Sequence, residues 1–354
     1  MIKKIAIIAG DGIGPEVMAE AVKVLEAVGS KFGHQFEFAE ALIGGAAFDV
    51  HGEHFPQVTY ETAKNSEAIL FGSVGGPIDK AHEPKWKNCE TNSILAIRKA
   101  FNFNSNLRPV KVYASLAEKC VLKTEIIERG IDILTIRELS GCIYFGEHRT
   151  ETIDGVRKAF DVMEYDEETI RKIAVVAFEA AKNRGKKVTS VDKANVLDCS
   201  KLWREVVNEV SKDYPEISLE HILVDNCAMQ IMQKPEQFDV LLMPNMFGDI
   251  LSDQTSVLAG SIGLLPSASL NEDGFGLYEP SGGSAPDIAG KGIANPIAQI
   301  LSAAMMLQYS FGMTKEHDAI VEAVNKCIDN GILTGDLGGK SSTSEVGDYI
   351  KNNI

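Results

Sequence analysis

The stretch KKIAIIAGDGIGPEVMAEAVKVLEAVGSKF (residues 3–32) carries the clearest structural signal in the chain. Its opening segment, KKIAIIA, contains the short apolar run typical of a buried strand. A glycine turn follows, and Pro15 then starts an amphipathic helix that extends to about Phe32, since proline is favoured at the first helical position. A strand, a tight turn and a helix in this order predict the first β-α unit of an α/β fold.

Similar strand and helix signals alternate along the rest of the sequence. Further strands are predicted at 35–40, 68–71, 110–114, 131–136, 187–191, 218–224 and 238–243. Further helices are predicted at 93–103, 166–183, 200–211, 228–233, 248–259, 296–311 and 315–330. This alternation favours an α/β fold with mostly parallel strands. Two regions interrupt it: residues 140–162 predict an arm or hairpin, and residues 260–296, rich in Gly, Ser and Pro, predict functional loops.

Length and charge limit the classes of function. A chain of 354 residues exceeds the size of one hydrophobic core, so more than one domain is expected. The net charge of −15 disfavours nucleic acid and anionic membranes as partners. The charge-free run 292–314 is long enough to span a membrane, but its Asn, Pro and Gln residues favour a buried helix. Six cysteines without a C-x-x-C pair, and no signal-peptide pattern, predict a reducing, cytoplasmic location.

Two glycine-rich segments resemble nucleotide-binding loops without matching them. In GDGIGPE (residues 10–16), Pro15 stands where a dinucleotide fingerprint requires its third glycine. This mismatch disfavours a Rossmann nucleotide site, and a simple strand-to-helix turn is the alternative. In GDLGGKSS (residues 335–342) the spacing of a P-loop places Thr334 where a glycine is required. A P-loop kinase is therefore disfavoured.

A third segment, GGSAPDIAGKGIANP (residues 282–296), is a better nucleotide-binding candidate. Gly282 and Gly283 allow a phosphate-bearing ligand to approach the backbone closely. Asp287 can accept hydrogen bonds from two ribose hydroxyls and would repel a 2′-phosphate, so the segment favours NAD over NADP. An ordinary surface loop is the alternative.

Acidic side chains at element ends suggest a divalent cation. Asp249 and Asp253 lie four residues apart on a predicted helix, which places both carboxylates on one face. Their oxygens suit Mg²⁺ or Mn²⁺, although a solvated helix face would look the same. Both follow an apolar strand, where ligands bind in open α/β sheets, and Asp225 follows another. Together the three acids predict one metal site.

Cationic side chains also collect at element ends. Arg98, Arg108 and Arg137 can bind carboxylates through bidentate hydrogen bonds, although each alone would be a surface ion-pair partner. Lys193 follows a strand and can act as a base beside a metal. Tyr144 is either a proton donor or a packing residue. This combination predicts a site for a carboxylate-rich anion with acid–base chemistry.

Six segments give the sequence a family resemblance: GDGIGPE, LRP, RELSGCIYFGE, VDKANVL, NMFGDILSD and GSAPDIAGKGIANP. In this order they resemble the β-decarboxylating dehydrogenases of 2-hydroxy acids, the family of isopropylmalate and isocitrate dehydrogenases, over nearly the whole chain. The resemblance implies a two-domain fold that is not a standard Rossmann fold. Residues 1–103 and 261–354 would form an NAD-binding domain, and residues 104–260 an inserted dimerisation and substrate/metal domain with an arm near 139–163. It also implies a homodimer with shared active sites.

The same resemblance implies a role for each candidate residue. Arg98, Arg108 and Arg137 would bind the substrate carboxylates, and Tyr144 would help to protonate the enol. Asp249 and Asp253 would bind Mg²⁺ or Mn²⁺ together with Asp225 of the partner subunit. That Asp225 would also contact the substrate. Lys193 of the partner subunit would help to remove the 2-hydroxyl proton. The NAD-binding residues would be Ile13, Gly76, Glu90, Glu279, Gly282, Gly283, Ser284, Ala285, Asp287 and Asn295.

Three apolar residues indicate the substrate within this family. Ile94 and Leu95, with Val196 of the partner subunit, would form a pocket that accepts an isopropyl group and leaves a third carboxylate unpaired. The implied reaction is the oxidative decarboxylation of 3-isopropylmalate to 4-methyl-2-oxopentanoate with NAD, in leucine biosynthesis. Homoisocitrate, isocitrate, tartrate and malate are the alternative substrates. A metal- or nucleotide-binding regulatory protein is the non-enzyme alternative, disfavoured because every acid, base and arginine position is occupied.

Overall fold

The computed structural model describes all 354 residues and divides into two compact units. The first, here called the terminal unit, comprises Met1–Asn102 and Ala259–Ile354; the second, the inserted unit, comprises Phe103–Leu258. These bounds differ by one or two residues from those expected from the sequence. The roles assigned to the two domains stay predictions.

Strands and helices alternate through most of the chain. The twelve strands are β1 (Ile2–Gly10), β2 (Gln35–Glu40), β3 (Ala68–Ser73), β4 (Ser105–Lys111), β5 (Asp132–Glu138), β6 (His148–Ile153), β7 (Val156–Asp161), β8 (Lys187–Asp192), β9 (Ser218–Leu223), β10 (Val240–Met243), β11 (Pro266–Leu270) and β12 (Gly276–Pro280). The twelve α-helices are α1 (Gly14–Phe32), α2 (Gly44–His51), α3 (Gln57–Lys64), α4 (Ala96–Ala100), α5 (Thr124–Ile127), α6 (Glu167–Lys182), α7 (Asp198–Ser211), α8 (Val224–Gln233), α9 (Asn245–Ser256), α10 (Ile297–Tyr309), α11 (Thr314–Asp329) and α12 (Thr343–Asn352).

The terminal unit is built on five strands in the order β2-β1-β3-β12-β11. The first four are mutually parallel, and β11 pairs antiparallel with β12. The apolar run of β1 is buried from Ile5 to Ile8, as expected for a strand covered on both faces. Helix α1 has proline in its first turn and ends at Gly33, whose φ of +73° provides the left-handed C-cap. Helix α10 packs against α1, α11, β11 and β12 in the core.

The inserted unit is built on five strands in the order β4-β5-β10-β8-β9. Strand β4 is antiparallel to β5, and the other neighbours are parallel, so β5, β10, β8 and β9 all end at the same edge. Trp203 of α7 is fully buried and donates its Nε1 proton to Ser190 Oγ of β8 at 3.1 Å. This packing fixes the end of β8, where candidate site residues lie.

Two predicted segments differ from the structure in position or in kind. The strand expected at 110–114 lies instead at Ser105–Lys111, because its polar residues pair antiparallel with β5, which the hydrophobic pattern does not reveal. The region 260–296, predicted as loops, also includes the antiparallel pair β11 and β12. The arm or hairpin predicted at 140–162 is confirmed as a hairpin, formed by the antiparallel pair β6 and β7. The charge-free run forms the buried 13-residue helix α10, and none of the helices meets the length and hydropathy that crossing a bilayer requires.

Candidate active site

Lys193 and Asp225 form an ion pair at the carboxyl edge of the inserted sheet. Lys193 directly follows β8, Asp225 lies in the first turn of α8, and Lys193 Nζ is 2.6 Å from Asp225 Oδ1. This hydrogen bond lowers the pKa of Asp225. The preceding residue, Asp192, is fully buried and accepts hydrogen bonds from Arg204 Nε and Nη2 at 2.8 Å and from the Ala194 amide at 2.9 Å. The buried carboxylate therefore anchors the turn that carries Lys193.

Arg137, Tyr144 and Asp249 form a second hydrogen-bonded group. The guanidinium of Arg137, on β5, donates to Asp249 Oδ1 through Nη1 and to Asn245 Oδ1 through Nε and Nη2, at 3.0 and 2.8 Å. Tyr144 donates its hydroxyl proton to Asp249 Oδ2 at 3.0 Å. Burial and this bond to a carboxylate raise the pKa of Tyr144. The phenol therefore keeps its proton at neutral pH, as a proton donor requires.

A glycine permits this arrangement. A Cβ added at Gly248 would lie 2.7 Å from Arg137 Cγ, closer than real contacts allow. The backbone of α9 thus approaches the arginine side chain only because residue 248 has no side chain.

Arg108 and Asp253 form a third pair. Arg108 Nη1, from β4, lies 3.2 Å from Asp253 Oδ1 and 3.0 Å from Ser252 Oγ, while its Nε donates to Asn106 Oδ1 at 2.8 Å. Asp249 and Asp253 are both on α9, one turn apart on the same face, as their spacing predicted. Each carboxylate has an arginine beside it.

The donor chemistry of these acids fits a hard divalent cation. Carboxylate oxygens are the preferred ligands of Mg²⁺ and Mn²⁺, and the side chain of Asp253 is 79% exposed. Within one chain, however, no group of three or more His, Cys, Asp or Glu side chains is close enough to bind a metal ion. Asp225, Asp249 and Asp253 therefore do not form such a group in the single chain, where Asp225 is paired with Lys193. A centre completed by the partner subunit stays a prediction.

The third predicted arginine lies in the terminal unit. Arg98, on α4, donates to Glu279 Oε1 at 2.7 Å, so a predicted substrate residue pairs with a predicted cofactor residue. Arg98 Nε is buried without a hydrogen-bond partner. Ile94 and Leu95 precede it in a π-helical turn, Thr91–Leu95, a geometry often found at functional sites. Leu95 is exposed, and so is Val196 in the turn after β8.

A cavity of about 580 Å³ in the terminal unit contains half of the predicted NAD-binding residues. Those that line it are Ile13, Gly282, Gly283, Ala285 and Asn295. The rest of its wall is mainly apolar and includes Val17, Ile262, Ile288 and Ile293. Its volume, its apolar walls and its glycine-containing edge fit a flat heterocyclic ligand.

The GDGIGPE turn supports the wall of this cavity. The Ile13 amide donates to the carbonyl oxygen of Ser284, which is buried, at 2.8 Å. A Cβ at Gly12, whose φ is +60°, would lie only 1.9 Å from that oxygen. The segment is thus the strand-to-helix turn considered from the sequence, and it positions the loop of residues 282–287.

The remaining predicted cofactor residues lie outside the cavity wall. Asp287 is exposed, and its carboxylate is left open to solvent. Glu90 is exposed and lies near Gly75, where an added Cβ would be 3.3 Å from Glu90 Oε1. Gly76 packs against Trp86, since a Cβ there would be 2.2 Å from the indole ring. Their contacts with NAD stay predictions.

Sequence reasoning missed two acids that position this region. Asp11 is buried and accepts hydrogen bonds from the amides of Gly45, Ala46 and Gly75 at 2.8–3.0 Å. Asp336 accepts from Asn295 Nδ2 at 3.0 Å, and it lies in the segment that was examined only as a P-loop. Short motifs give no signal for either role, because the partners are distant in sequence.

Solved structures of similar fold cover almost the whole chain. An isocitrate dehydrogenase from Methylococcus capsulatus superposes with a TM-score of 0.83 at 32% identity, covering 99% of both chains. A beta-decarboxylating dehydrogenase from Thermococcus kodakarensis superposes with a TM-score of 0.81 at 37% identity, covering 99% of this chain and 96% of the other.

Sequence comparison gives the same relationship. A 3-isopropylmalate dehydrogenase of Haemophilus influenzae is 54% identical, and one of Clostridium pasteurianum is 51% identical, each alignment covering 98% of both proteins. The family described as isocitrate/isopropylmalate dehydrogenase matches residues 4–350. With this extent of match, and with the α/β architecture expected from its motifs, the chain belongs to the isocitrate/isopropylmalate dehydrogenase family.

Proposed function

We propose that this chain catalyses the oxidative decarboxylation of 3-isopropylmalate to 4-methyl-2-oxopentanoate, with NAD as hydride acceptor, in leucine biosynthesis. The observation that carries the proposal is the group formed by Arg137, Tyr144 and Asp249. In it, a cation for a carboxylate and a protonated acid are each hydrogen-bonded to the same candidate metal ligand, Asp249. The names of the similar relatives support the choice of substrate.

The arginines account for binding of a dicarboxylate. Arg108 and Arg137 lie on adjacent strands and can each form a bidentate contact with a carboxylate. The family resemblance assigns Arg98 to the same substrate. Ile94, Leu95 and Val196 carry no polar atoms beyond the backbone, so they suit an isopropyl group and provide no partner for an extra carboxylate.

Two side chains move protons in the proposed reaction. Lys193 of the partner subunit would take the proton of the 2-hydroxyl as bound NAD accepts the hydride from C2, which leaves a 2-oxo acid. The C3 carboxylate then departs as carbon dioxide, and its bonding electrons form an enolate. Tyr144 donates its proton to C3 and yields 4-methyl-2-oxopentanoate. A bound Mg²⁺ or Mn²⁺ would supply positive charge to the C2 oxygen throughout.

A second copy of the chain is the proposed partner. On α8, Asp225 shares a face with Met229 and Met232, and Met229 is 53% exposed. The neighbouring helix α9 carries Ile250 at 61% exposure on the same face as Asp253. Exposed apolar side chains grouped in this way mark association surfaces. A two-fold dimer would bury these side chains of α8 and α9 in both subunits. Such an interface would carry Asp225 and Lys193 of the partner subunit toward Asp249 and Asp253.

A substrate panel tests the proposed function. NADH formation is measured with 3-isopropylmalate, isocitrate, homoisocitrate, tartrate and malate, each with NAD and Mn²⁺. We expect 3-isopropylmalate to give the highest kcat/KM, and excess chelator to abolish NADH formation until Mn²⁺ is restored. A higher kcat/KM for any other substrate would overturn the substrate assignment, and chelator-resistant NADH formation would overturn the metal assignment.

Asp287 provides a test of the cofactor. We expect NAD to give a kcat/KM far above that of NADP, because the Asp287 carboxylate accepts ribose hydroxyls and repels a 2′-phosphate. The variant D287S should bring the kcat/KM values for NAD and NADP closer together. It would weaken the binding of NAD and relieve the repulsion of the 2′-phosphate of NADP. Equal kcat/KM for NAD and NADP in the unaltered protein would contradict this role.

A further inference from the structure

Asn245 is a buried amide that holds one side of the guanidinium of Arg137. It is the first residue of α9 and is 1% exposed. Its Oδ1 accepts hydrogen bonds from Arg137 Nε at 3.0 Å and from Nη2 at 2.8 Å. Two donors on one oxygen fix the plane of the guanidinium, because the N–H groups of arginine are held in a rigid fork. Nη1, on the other side of the group, reaches Asp249 in the candidate active site.

Asn245 is itself held in one orientation. Its Nδ2 donates to the carbonyl oxygen of Gly141 at 3.1 Å, so the other amide atom, Oδ1, must be the one that faces Arg137. Its backbone amide donates to the Tyr165 hydroxyl at 2.8 Å, and that hydroxyl donates to the buried carboxylate of Glu138 at 3.0 Å. An acceptor locked by such bonds positions the guanidinium more precisely than a solvated one would.

Arg108 has a partner of the same kind. Its Nε donates to Asn106 Oδ1 at 2.8 Å, and Asn106 is 1% exposed. Asn106 lies on β4, directly opposite Arg137 in the antiparallel register with β5. Both predicted substrate arginines of the inserted unit thus have a buried, uncharged acceptor at Nε.

Two arginines outside the predicted substrate-binding set have a carboxylate at the same atom. Arg204 Nε donates to Asp192 Oδ2 at 2.8 Å, and Arg184 Nε donates to Asp239 Oδ1 at 2.9 Å. A carboxylate in this position balances the charge of the guanidinium. An amide oxygen accepts the same hydrogen bond but carries no net charge, so the positive charge stays available for another anion.

The carboxylates that do lie beside the substrate arginines have a different expected partner. Arg137 also contacts Asp249, and Arg108 also contacts Asp253. In the proposed function a divalent cation binds both carboxylates and offsets their charge. The two amides would then be the acceptors that keep each guanidinium oriented while the substrate binds.

We propose that Asn245 and Asn106 are positioning residues for Arg137 and Arg108. As neutral acceptors they orient each guanidinium without balancing the charge that binds the substrate carboxylates. The inference rests on the proposed function, whose substrate is a dicarboxylate, and adds two residues that set the affinity for it. Each amide acts through its arginine, so neither has to touch the substrate.

The variant N245D tests the role of charge, since aspartate keeps the shape and the acceptor oxygen and adds a negative charge beside Arg137. We expect the KM for 3-isopropylmalate to rise about tenfold, because the guanidinium charge is then balanced within the protein. Loss of uniform substrate binding raises KM alone, so kcat should change less than about threefold and the KM for NAD should stay the same. N106D should act in the same way through Arg108. The control N330D adds the same charge at the exposed end of α11 and should leave all three values unaltered.

Steady-state kinetics and thermal unfolding separate positioning from a structural role. An unchanged KM for 3-isopropylmalate in N245D, or in N106D should N245D not fold, would overturn the inference. Failure of both variants to fold would also overturn it, because the amides would then serve the fold alone. Turnover by the unaltered protein tests the proposed function independently of the variants. If that protein turned over another dicarboxylate of the panel instead, the proposed substrate would fall, and the same KM comparison with that dicarboxylate would still test the two amides.

Discussion

Lys193 is the side chain on which the proposed proton transfer depends most directly. The variant K193M removes the amine that accepts the 2-hydroxyl proton, so we expect kcat to fall about 10²–10⁴-fold, the usual range for losing a general base. The fold should remain intact, because the Lys193 side chain bonds only to the exposed Asp225 and the backbone bonds of the turn do not depend on the side chain. Steady-state kinetics and a circular dichroism spectrum measure the two effects.

A matched control is available on α7. Lys201 is exposed, and its side chain pairs with Asp198 at 2.7 Å rather than with a candidate site residue. The variant K201M should therefore retain full turnover. If K193M kept kcat within a factor of a few of K201M, Lys193 would not be the base.

The buried carboxylate beside Lys193 gives a prediction of stability. Asp192 is fully buried, and the guanidinium of Arg204 is its charge partner. The variant R204Q would leave that carboxylate without its cation and should destabilise the protein by about 3 kcal/mol, as breaking buried ion pairs does. Urea denaturation measures the loss. R204K keeps the charge but not the bidentate contact, so its urea midpoint should lie between those of R204Q and the unaltered protein. Equal midpoints for R204Q and the unaltered protein would contradict the role of Arg204 as the charge partner of Asp192.

Residues with a local pattern were predictable from sequence, and residues defined by distant partners were not. Asp249 and Asp253 were placed on one helix face because a spacing of four residues implies it. Asp11 and Asp336 have no such signal: one accepts from the distant amides of Gly45 and Gly75, and the other acts through Asn295. Those relationships exist only after the chain has folded.

At the scale of elements, the β6–β7 hairpin has a pH-dependent contact. His148 and Asp161 are directly opposite in the antiparallel register, and their side chains lie 2.6 Å apart. This hydrogen bond raises the pKa of His148. The pair therefore stabilises the hairpin fully at pH values below the ordinary histidine pKa of about 6.5. This stabilisation is lost as the pH rises through the raised pKa of His148.

Hydrogen exchange of the hairpin amides checks this dependence. Protection factors, corrected for intrinsic exchange rates, should be higher at pH 6 than at pH 9. The variant D161N should remove most of the difference, because it replaces the carboxylate that stabilises the charged imidazole. Equal protection of the unaltered hairpin at both pH values would contradict the predicted contact.

The element pattern was predictable where strands are buried and apolar. Strands β1 and β8 and helices α1 and α10 lie where apolar runs and periodicity placed them. Strand β4 was misplaced because its central residues, including Asn106 and Arg108, are polar and serve the candidate site. The sequence predicts loops where β11 and β12 form, since glycine, serine and proline are frequent there and only strand pairing reveals the hairpin.

At the scale of the whole molecule, a single chain does not complete the proposed metal centre. Asp249 and Asp253 lie together on α9, while Asp225 pairs with Lys193 on another part of the inserted unit. No cluster of three potential ligands forms within the chain. The proposed two-fold dimer would complete the centre, because each site would combine Asp249 and Asp253 of one subunit with Asp225 of the partner subunit.

Subunit complementation tests this shared site most directly. The variants D225N and D249N should each be inactive as homodimers, since each damages both sites. Coexpressed with different affinity tags and purified as the mixed dimer, they place both substitutions in one site and leave the other intact. The account predicts about half of the unaltered protein's specific activity for the mixed dimer. A mixed dimer as inactive as the two parent variants would show that each site lies within one chain and would contradict the account.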